Sequence, residues 1–439
     1  MKKSFLLVPI LLLNCLSLFP KTFYVATTGN DSASGSLVDP FATIMRAQKS
    51  VEAGDTVYIR GGKYIMTENQ ITRNHRIWAE VNVLNKSGEP DKRINYWAFP
   101  NETPIFDLCK IKPENLRVMV FYITASWIHL KGIEVIGTQV TISTHTQSEC
   151  FHNEGNHNIY EQLSMHDGQA IGFYLLKGSD NLILNCDAYR NWDYTSEGGR
   201  GGNADGFGCH PQPGGINNIF RDCRAWFNSD DGYDCIRASE SVTFDHCWSF
   251  YNGYSPNFIE LGDGNGFKAG GWGLQIDNRF PDTIPMHTIQ FCLAVKNRAN
   301  GFYSNHHPGG SYWYNNTASL NGTNFNMLNR TKDLTADVPG YDHVLKNNLS
   351  YASRTYDTQW IDSTKCILEN NTFSVPIKVT KADFQSLDQS QLISPRKPDG
   401  SLPDIKFMKL KKNSKLIDKG VDIGFEFSGK SPDLGAFDY

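Results

Sequence analysis

One phrase recurs along the middle of this chain at intervals that suit a stacked repeat. NCDAYRN, DCRAWFN, HCWSFYN and FCLAVKN each place a cysteine five residues before an asparagine, as Cys186/Asn191, Cys223/Asn228, Cys247/Asn252 and Cys292/Asn297. NNTASLN repeats the phrase with Asn316/Asn321, and NNLSYAS repeats it with Asn348/Ser353. Successive anchors lie 37, 24, 45, 24 and 32 residues apart, and Asn348 to Asn371 adds 23. A shortest step near 24 with longer steps between is a repeat from which loops bud.

Between the anchors runs a second phrase, in ADGFGCH, DDGYDCI, GNGFKAG and ANGFYSN. A glycine precedes an aromatic, then one variable position, then a small residue. Alternation with a period of two turns Phe207, Tyr233, Phe267 and Phe302 inward with Cys209, Cys235, Ala269 and Ser304. The variable residue between them points out. Short strands, several to a repeat of this length, predict an all-β chain: a right-handed parallel β-helix with an N-terminal helical cap. Propeller blades are the rival, but they are longer than the shortest step here. Coils stack at a strand spacing of ~4.8 Å, so equivalent positions form columns, with cysteines and aromatics inside and asparagines in ladders at the bends.

The ends suit that architecture. Residues 40–64, PFATIMRAQKSVEAGDTVYIRGGKY, carry an amphipathic helical run followed by a strand and turn. The segment resembles the opening of β-helical polysaccharide-processing proteins, where a helix covers the exposed core. The finish, LIDKGVD through PDLGAFDY, resembles their closing segment, which keeps a terminal coil from templating aggregation. The expected division is a signal peptide at 1–20, an opening strand and capping helix at 21–54, a parallel β-helix catalytic domain at 55–375, and a C-terminal closing segment packed on the β-helix at 376–439.

In the leader, Lys2 and Lys3 precede an apolar run from Phe5 to Leu13, the pattern of export. The expectation is a secreted or periplasmic protein, with lipid anchoring at Cys15 as a variant. After the leader no run of ~18 apolar residues follows, so no transmembrane span is expected. The nine remaining cysteines, odd in number and at repeated apolar positions, read as buried thiols. A formal charge of −4 across 439 residues argues against a nucleic-acid partner. The chain is expected to act as a monomer.

NSDDGYDC, residues 228–235, puts Asp230, Asp231 and Asp234 within five positions. Stacking aligns Asp205, Asp231, Asn265 and Asn300 in one column, and Gly208, Asp234, Lys268 and Tyr303 in the outward one. Asp205 and Asp231 are then neighbours on adjacent coils, with Asp230 and Asp234 beside them and Lys268 one coil above Asp234. Four carboxylates so close repel one another unless they are protonated or share a cation. Hard oxygen donors suit Ca²⁺ better than zinc, and no His/Cys set here has zinc spacing. The bland reading, solvated carboxylates at ordinary Asp-Gly turns, explains one such residue more easily than four beside a lysine.

At these residues the chain resembles polysaccharide lyase family nine, which includes calcium-dependent pectate lyases built on a right-handed parallel β-helix. The resemblance is firmest over about 160–330 and looser from 22 to 439. It implies that Asp205, Asp230, Asp231 and Asp234 hold calcium and that Lys268, in GNGFKAGG, is the catalytic residue. It also implies β-elimination on an acidic plant cell-wall polysaccharide, with the base taking the C5 proton of a galacturonate unit. Polygalacturonate (pectate) and the alternating rhamnose–galacturonate backbone of rhamnogalacturonan both remain open.

A free lysine has a pKa of about 10.4. Calcium close by lowers it and the carboxylates raise it, and the expectation is a moderate net depression with alkaline turnover. Further positive charge for an acidic polymer must come from neighbours on the same face, with Arg237 and Arg298 as candidates. Lys296 and Arg330 read as solvated. Tyr303 is placed to stack on a sugar, and His306 and His307 are weaker candidates. The rivals are a β-helical glycoside hydrolase of pectin, which needs two carboxylates ~6.5–9.5 Å apart for inversion, and a non-catalytic carbohydrate-binding β-helix, which would tolerate loss of Lys268.

Overall fold

A computed structural model describes residues 19–274 and 281–438, and the leader with Cys15 lies outside the described residues. The chain winds as a right-handed β-helix whose coils build sheets of 12, 10 and 11 strands. Pairing is parallel throughout these sheets except where Arg73–His75 runs antiparallel to Trp78–Leu84. The first sheet runs from Thr22–Val25 to Ile367–Glu369, the second from Gly62–Thr67 to Leu349–Tyr351, and the third from Arg73–His75 to Tyr356–Gln359. Among the described residues no helix is long and apolar enough to cross a membrane.

The Cys-to-Asn phrase is one strand of the second sheet together with its two corners. Before the cysteines, and before Asn316, stand Asn185, Asp222, His246, Phe291 and Asn315, all left-handed with φ of 50–55°. Before the asparagines stand Arg190, Phe227, Tyr251, Lys296 and Leu320, with φ of 49–61°. Each such residue costs ~1–2 kcal/mol, and the corners answer that cost with side chains that satisfy the bent backbone. Asn191 Nδ2 donates to Asn228 Oδ1 at 3.1 Å, Asn228 to Asn252 at 3.1 Å, Asn252 to Asn297 at 3.0 Å and Asn297 to Asn321 at 3.0 Å. At the other corner Cys223 and Cys247 donate their thiols to carbonyls of the preceding coil, Ile183 at 3.4 Å and Phe220 at 3.3 Å. The cysteine column then passes into asparagines, Asn316 to Asn348 to Asn371, at 3.1 and 2.8 Å. All nine described cysteines are free thiols, with Cys109 exposed and Cys366 half-buried.

The second phrase supplies the third sheet. Phe207, Tyr233, Phe267, Phe302 and Phe325 stack face to face down the core with ring centres 4.7–5.2 Å apart. Ring planes 1° apart for Tyr233 and Phe267 follow from strands held in exact register. The alternate residues face out along the same strands, and there lies the candidate site.

A short helix, Ile44–Ser50, covers the N-terminal end. Thr43 caps it by accepting from the Arg46 N–H at 3.1 Å. Ile44, Ala47 and Gln48 are its buried side, and Gln48 Nε2 donates to Val83 O at 2.6 Å. The C-terminal segment packs on the β-helix. It runs back along the outer face of the second sheet, where Phe384, Leu392, Phe407 and Leu410 join Trp226, Trp248, Phe250 and Leu293 in a second apolar cluster. Arg396 reaches Asp187 at 2.7 Å, and Gln162 donates to Asp399 O at 2.6 Å. The tail buries an aromatic stripe on that flank, and the Gly435 N–H donates to Asn347 O at 2.8 Å beside the last strand of the second sheet.

Candidate active site

The strands Phe207–Cys209, Tyr233–Asp234, Phe267–Lys268 and Asn300–Tyr303 lie side by side. Their pairing places Gly208 against Asp234, Asp234 against Lys268 and Lys268 against Tyr303, the expected outward column. The residues two positions before the stacked aromatics form the second column as a hydrogen-bonded ladder. The Asp231 N–H donates to Asp205 Oδ1 at 3.1 Å, Asn265 donates to Asp231 Oδ1 through its backbone at 2.6 Å and its amide at 2.8 Å, and Asn300 donates to Asn265 Oδ1 at 2.8 Å. The slot is acidic on two coils and an amide on the next two.

Lys268 Nζ lies 2.9 Å from Asp231 Oδ2 and 3.1 Å from Asp234 Oδ2, its side chain largely buried but reaching the lining of a surface hollow. Asp205, Asp231 and Asp234 each bring an oxygen within 4.8 Å of the others, and Asp230, Asp231 and Asp263 form a second set with the same property. Asp234 Oδ1 accepts from the Ile236 N–H at 2.7 Å, and Asp230 Oδ1 from the Asp263 N–H at 2.9 Å. Each carboxylate is thus aimed by backbone while keeping its second oxygen for the cluster.

Burial and mutual repulsion dominate the charge state. Burial, then the charges of Asp230, Asp234 and Asp231, raises the Asp205 pKa well above the carboxylate range. Burial and Asp231 do the same to Asp230, against the pull of Lys268. Asp231 is pushed up to about 6 by burial, with Lys268 opposing. For Lys268 burial works to lower the pKa, but Asp231, Asp234, Asp230 and Asp205 outweigh it and raise it well above the ordinary value. With carboxylates alone around it, Lys268 is held toward the ammonium form; the expected net depression belongs to a site that also holds the dication.

The donor set fits a hard dication. One lysine cannot balance four buried carboxylates, the ligands are all oxygens, and the fully buried Asp231 Oδ2 receives no well-aligned hydrogen bond. The groups placed to hold such a cation are Asp205 with Asp231 and Asp234, and Asp230 with Asp231 and Asp263.

The other expected residues separate. Arg237, exposed and left-handed at φ 61°, lines the same hollow of about 510 Å³ as Asp205, Asp230, Asp234 and Lys268. Arg298 turns to the adjoining loop, donating to Gly262 O at 3.1 Å and standing 3.5 Å from Glu260, so it braces the segment that carries Asp263. Tyr303 lies half-buried beside Lys268 with its hydroxyl 3.4 Å from His306 Nδ1. His306 faces Asp337 at 3.6 Å. His307 is fully buried against Pro285 O at 2.9 Å and cannot meet a polymer. Lys296 lies over Phe258 at 3.9 Å and Arg330 pairs with Asp337 at 2.7 Å.

Residues that sequence reasoning missed also line the hollow: Asp263, His210, Tyr174 and Gln147. Tyr174 carried a signal, because IGFYL in the preceding coil is the same Gly-aromatic phrase and puts Tyr174 in register with Gly208. Asp263 carried none, since its loop has no counterpart in the other coils.

Known proteins resemble this chain over most of its length. The family model described as Pel9A-like, right handed beta helix region, matches residues 23–348. Pectate lyase L of Dickeya dadantii is 31% identical over 425 residues, 95% of this chain and 90% of that protein. Pectate lyase PEL9 of Emericella nidulans is 28% identical over 419 residues, 89% of this chain and 94% of that one. Among solved structures, a rhamnogalacturonan lyase has a TM-score of 0.87 at 47% identity, covering 89% of this chain and 97% of its own. Pectate lyase Pel9A has a TM-score of 0.77 at 30% identity, covering 95% and 96%.

Proposed function

The chain belongs to the Pel9A-like right-handed β-helix family, and on that premise we propose that it cleaves the rhamnogalacturonan backbone by calcium-dependent β-elimination with Lys268 as the base. That it is a pectic polysaccharide lyase follows from its relatives. The preference for rhamnogalacturonan over polygalacturonate rests on 47% identity to the rhamnogalacturonan lyase against 30% to Pel9A. The observation that carries the mechanism is Lys268 Nζ, 2.9 and 3.1 Å from two carboxylates of a cluster that it cannot neutralise alone.

Elimination breaks the C5–H bond, forms the C4–C5 double bond and releases the bridging oxygen from C4. Electron density gathers on the uronate carboxylate as the proton leaves. Ca²⁺ held by Asp205, Asp230, Asp231 and Asp234 would supply the charge neutralisation at that carboxylate. Lys268 accepts the C5 proton as a neutral amine, and the pull of Asp231 and Asp234 on its ammonium is what has to be relieved before it does so. Arg237, on the rim, draws a uronate carboxylate toward the hollow, and Tyr303 offers a ring face beside the reacting sugar. Water protonates the departing O4.

The test is ultraviolet absorbance as the purified protein acts on rhamnogalacturonan and on polygalacturonate, each with calcium and with chelator. The expected result is a calcium-dependent rise, faster on rhamnogalacturonan. New reducing ends without a rise would replace elimination by hydrolysis, a rise undiminished by chelator would remove the metal from the mechanism, and faster action on polygalacturonate would reverse the substrate assignment.

A further inference from the structure

The outward column that holds Asp234 and Lys268 continues toward the N-terminus as Gly208, Tyr174, His152 and Tyr122. Beside it lies a second hollow of about 250 Å³, lined by Trp78, Arg117, Tyr122 and His152, and it shares Gln147, Tyr174 and Leu176 with the hollow at Lys268. The two are one cleft. Gly208 keeps its middle open, because a Cβ there would stand 2.6 Å from the Tyr174 ring. The rings of Tyr174 and His210 therefore approach to 4.9 Å and floor the junction.

Charge is distributed differently in this second hollow. Its carboxylates are all matched: Glu80 by Arg73, Glu149 by His152, and Glu154 by Lys177 at 2.9 Å. Arg117 is surplus. Its guanidinium lies over the Trp78 ring, 5.5 Å from the centroid, and among the described residues no carboxylate is within ion-pair reach of it. A half-buried guanidinium held on an indole face presents its N–H edge as a fork for a carboxylate. The strand that bears Arg117 is five pairings from that of Lys268, ~24 Å along the axis at the usual strand spacing. That spacing is close to the length of one sugar unit in an extended chain.

We propose that Arg117, seated on Trp78, is a distal subsite for the carboxylate of a galacturonate about four to six units from the one that reacts, at the even steps where an alternating rhamnose–galacturonate backbone carries a carboxylate. The subsite rests on the lyase reading above and adds to it a length requirement. Substrates long enough to reach Arg117 gain affinity, and shorter ones do not.

The experiment compares wild type, Arg117→Ala and Arg117→Lys on the polymer and on the shortest oligosaccharide that is cleaved, all with calcium. Expected for Arg117→Ala is a roughly tenfold rise in KM on the polymer, the size of one charge-assisted contact, with kcat and all constants on the short substrate unchanged. Arg117→Lys should recover part of the loss. Equal losses on both substrates, or none on either, would overturn the subsite. An absent absorbance rise with wild type marks failure of the lyase reading instead. In that case retardation in gels containing galacturonate polymer still decides: retardation lost in Arg117→Ala supports the subsite, and retardation retained overturns it.

Discussion

The two ends of the cleft use the same backbone to opposite electrostatic effect. Around His152 each carboxylate has its own cation, and the ion pairs are internal to the fold. Around Lys268, further along the same column, Asp205, Asp230, Asp231 and Asp234 share a single lysine, and the proton affinities of Asp205, Asp230 and Asp231 rise. Balanced charge stabilises a fold and does little else. Unbalanced buried charge costs stability, and it persists where a ligand completes it. The comparison therefore locates the chemistry by where the local accounting of charge fails.

The largest expected effect comes from removing the lysine at the unbalanced end. Lys268→Met should lower kcat by ~10²–10⁴-fold, the usual range for a general base, measured by absorbance at saturating calcium. The tertiary near-ultraviolet circular dichroism should stay intact, since the calcium supplied can take over as counter-ion. A variant within tenfold of wild type would assign proton abstraction to another group.

At the balanced end the expected effect is on stability. Burial works against the charged form of His152, but Glu149 and Glu154 outweigh it and hold the pKa at about 9, against 6.5 for a free histidine. The folded-state value is the higher one, so the stabilisation is fully present below pH 6.5 and is lost as pH rises through about 9. The span corresponds to ~3 kcal/mol. Unfolding free energies from urea titrations at pH 6 and pH 10 should differ by that order in wild type and much less in His152→Gln. Equal pH dependence in the two proteins would place the effect elsewhere.

Much of this contrast was legible in the sequence, and the reason is the repeat. Once Cys186, Cys223, Cys247 and Cys292 fix the coil, a strand with period two assigns every neighbour a face, so the columns through Asp231 and through Lys268 could be read off directly. The charge state of Lys268 could not be read in the same way, because it depends on distances to four carboxylates and not on order along the chain. Asp263 and the path of the tail across Trp226 and Phe250 were hidden for another reason. They belong to segments outside the repeat, where a residue's neighbours are set by tertiary packing alone. Arg117 sat in a strand that lacks the second phrase, RVMVFYI, so its alignment with the cleft emerged only from the pairing of Tyr122 with His152.

The smallest expected effect tests whether the unbalanced end is waiting for a cation. Burial and the neighbouring aspartates raise the Asp205 pKa, so the folded protein holds that proton more tightly than the unfolded chain does. Stability without calcium must then fall as pH rises from the ordinary carboxylate range through the folded value. Asp205→Asn removes this penalty and keeps the oxygen that accepts from the Asp231 N–H. The slot takes an asparagine without distortion, because Asn265 and Asn300 fill it on the following coils. In chelator at pH 7 the variant should be more stable than wild type by about 1 kcal/mol. With calcium the order should reverse, since wild type gains RT ln(1 + [L]/Kd) from its ligand and the variant, lacking one ligand charge, gains less. Thermal melts in chelator and in calcium read both signs. A variant less stable in both conditions would mean that Asp205 stabilises the fold without a cation, and the contrast between the two ends would lose its meaning.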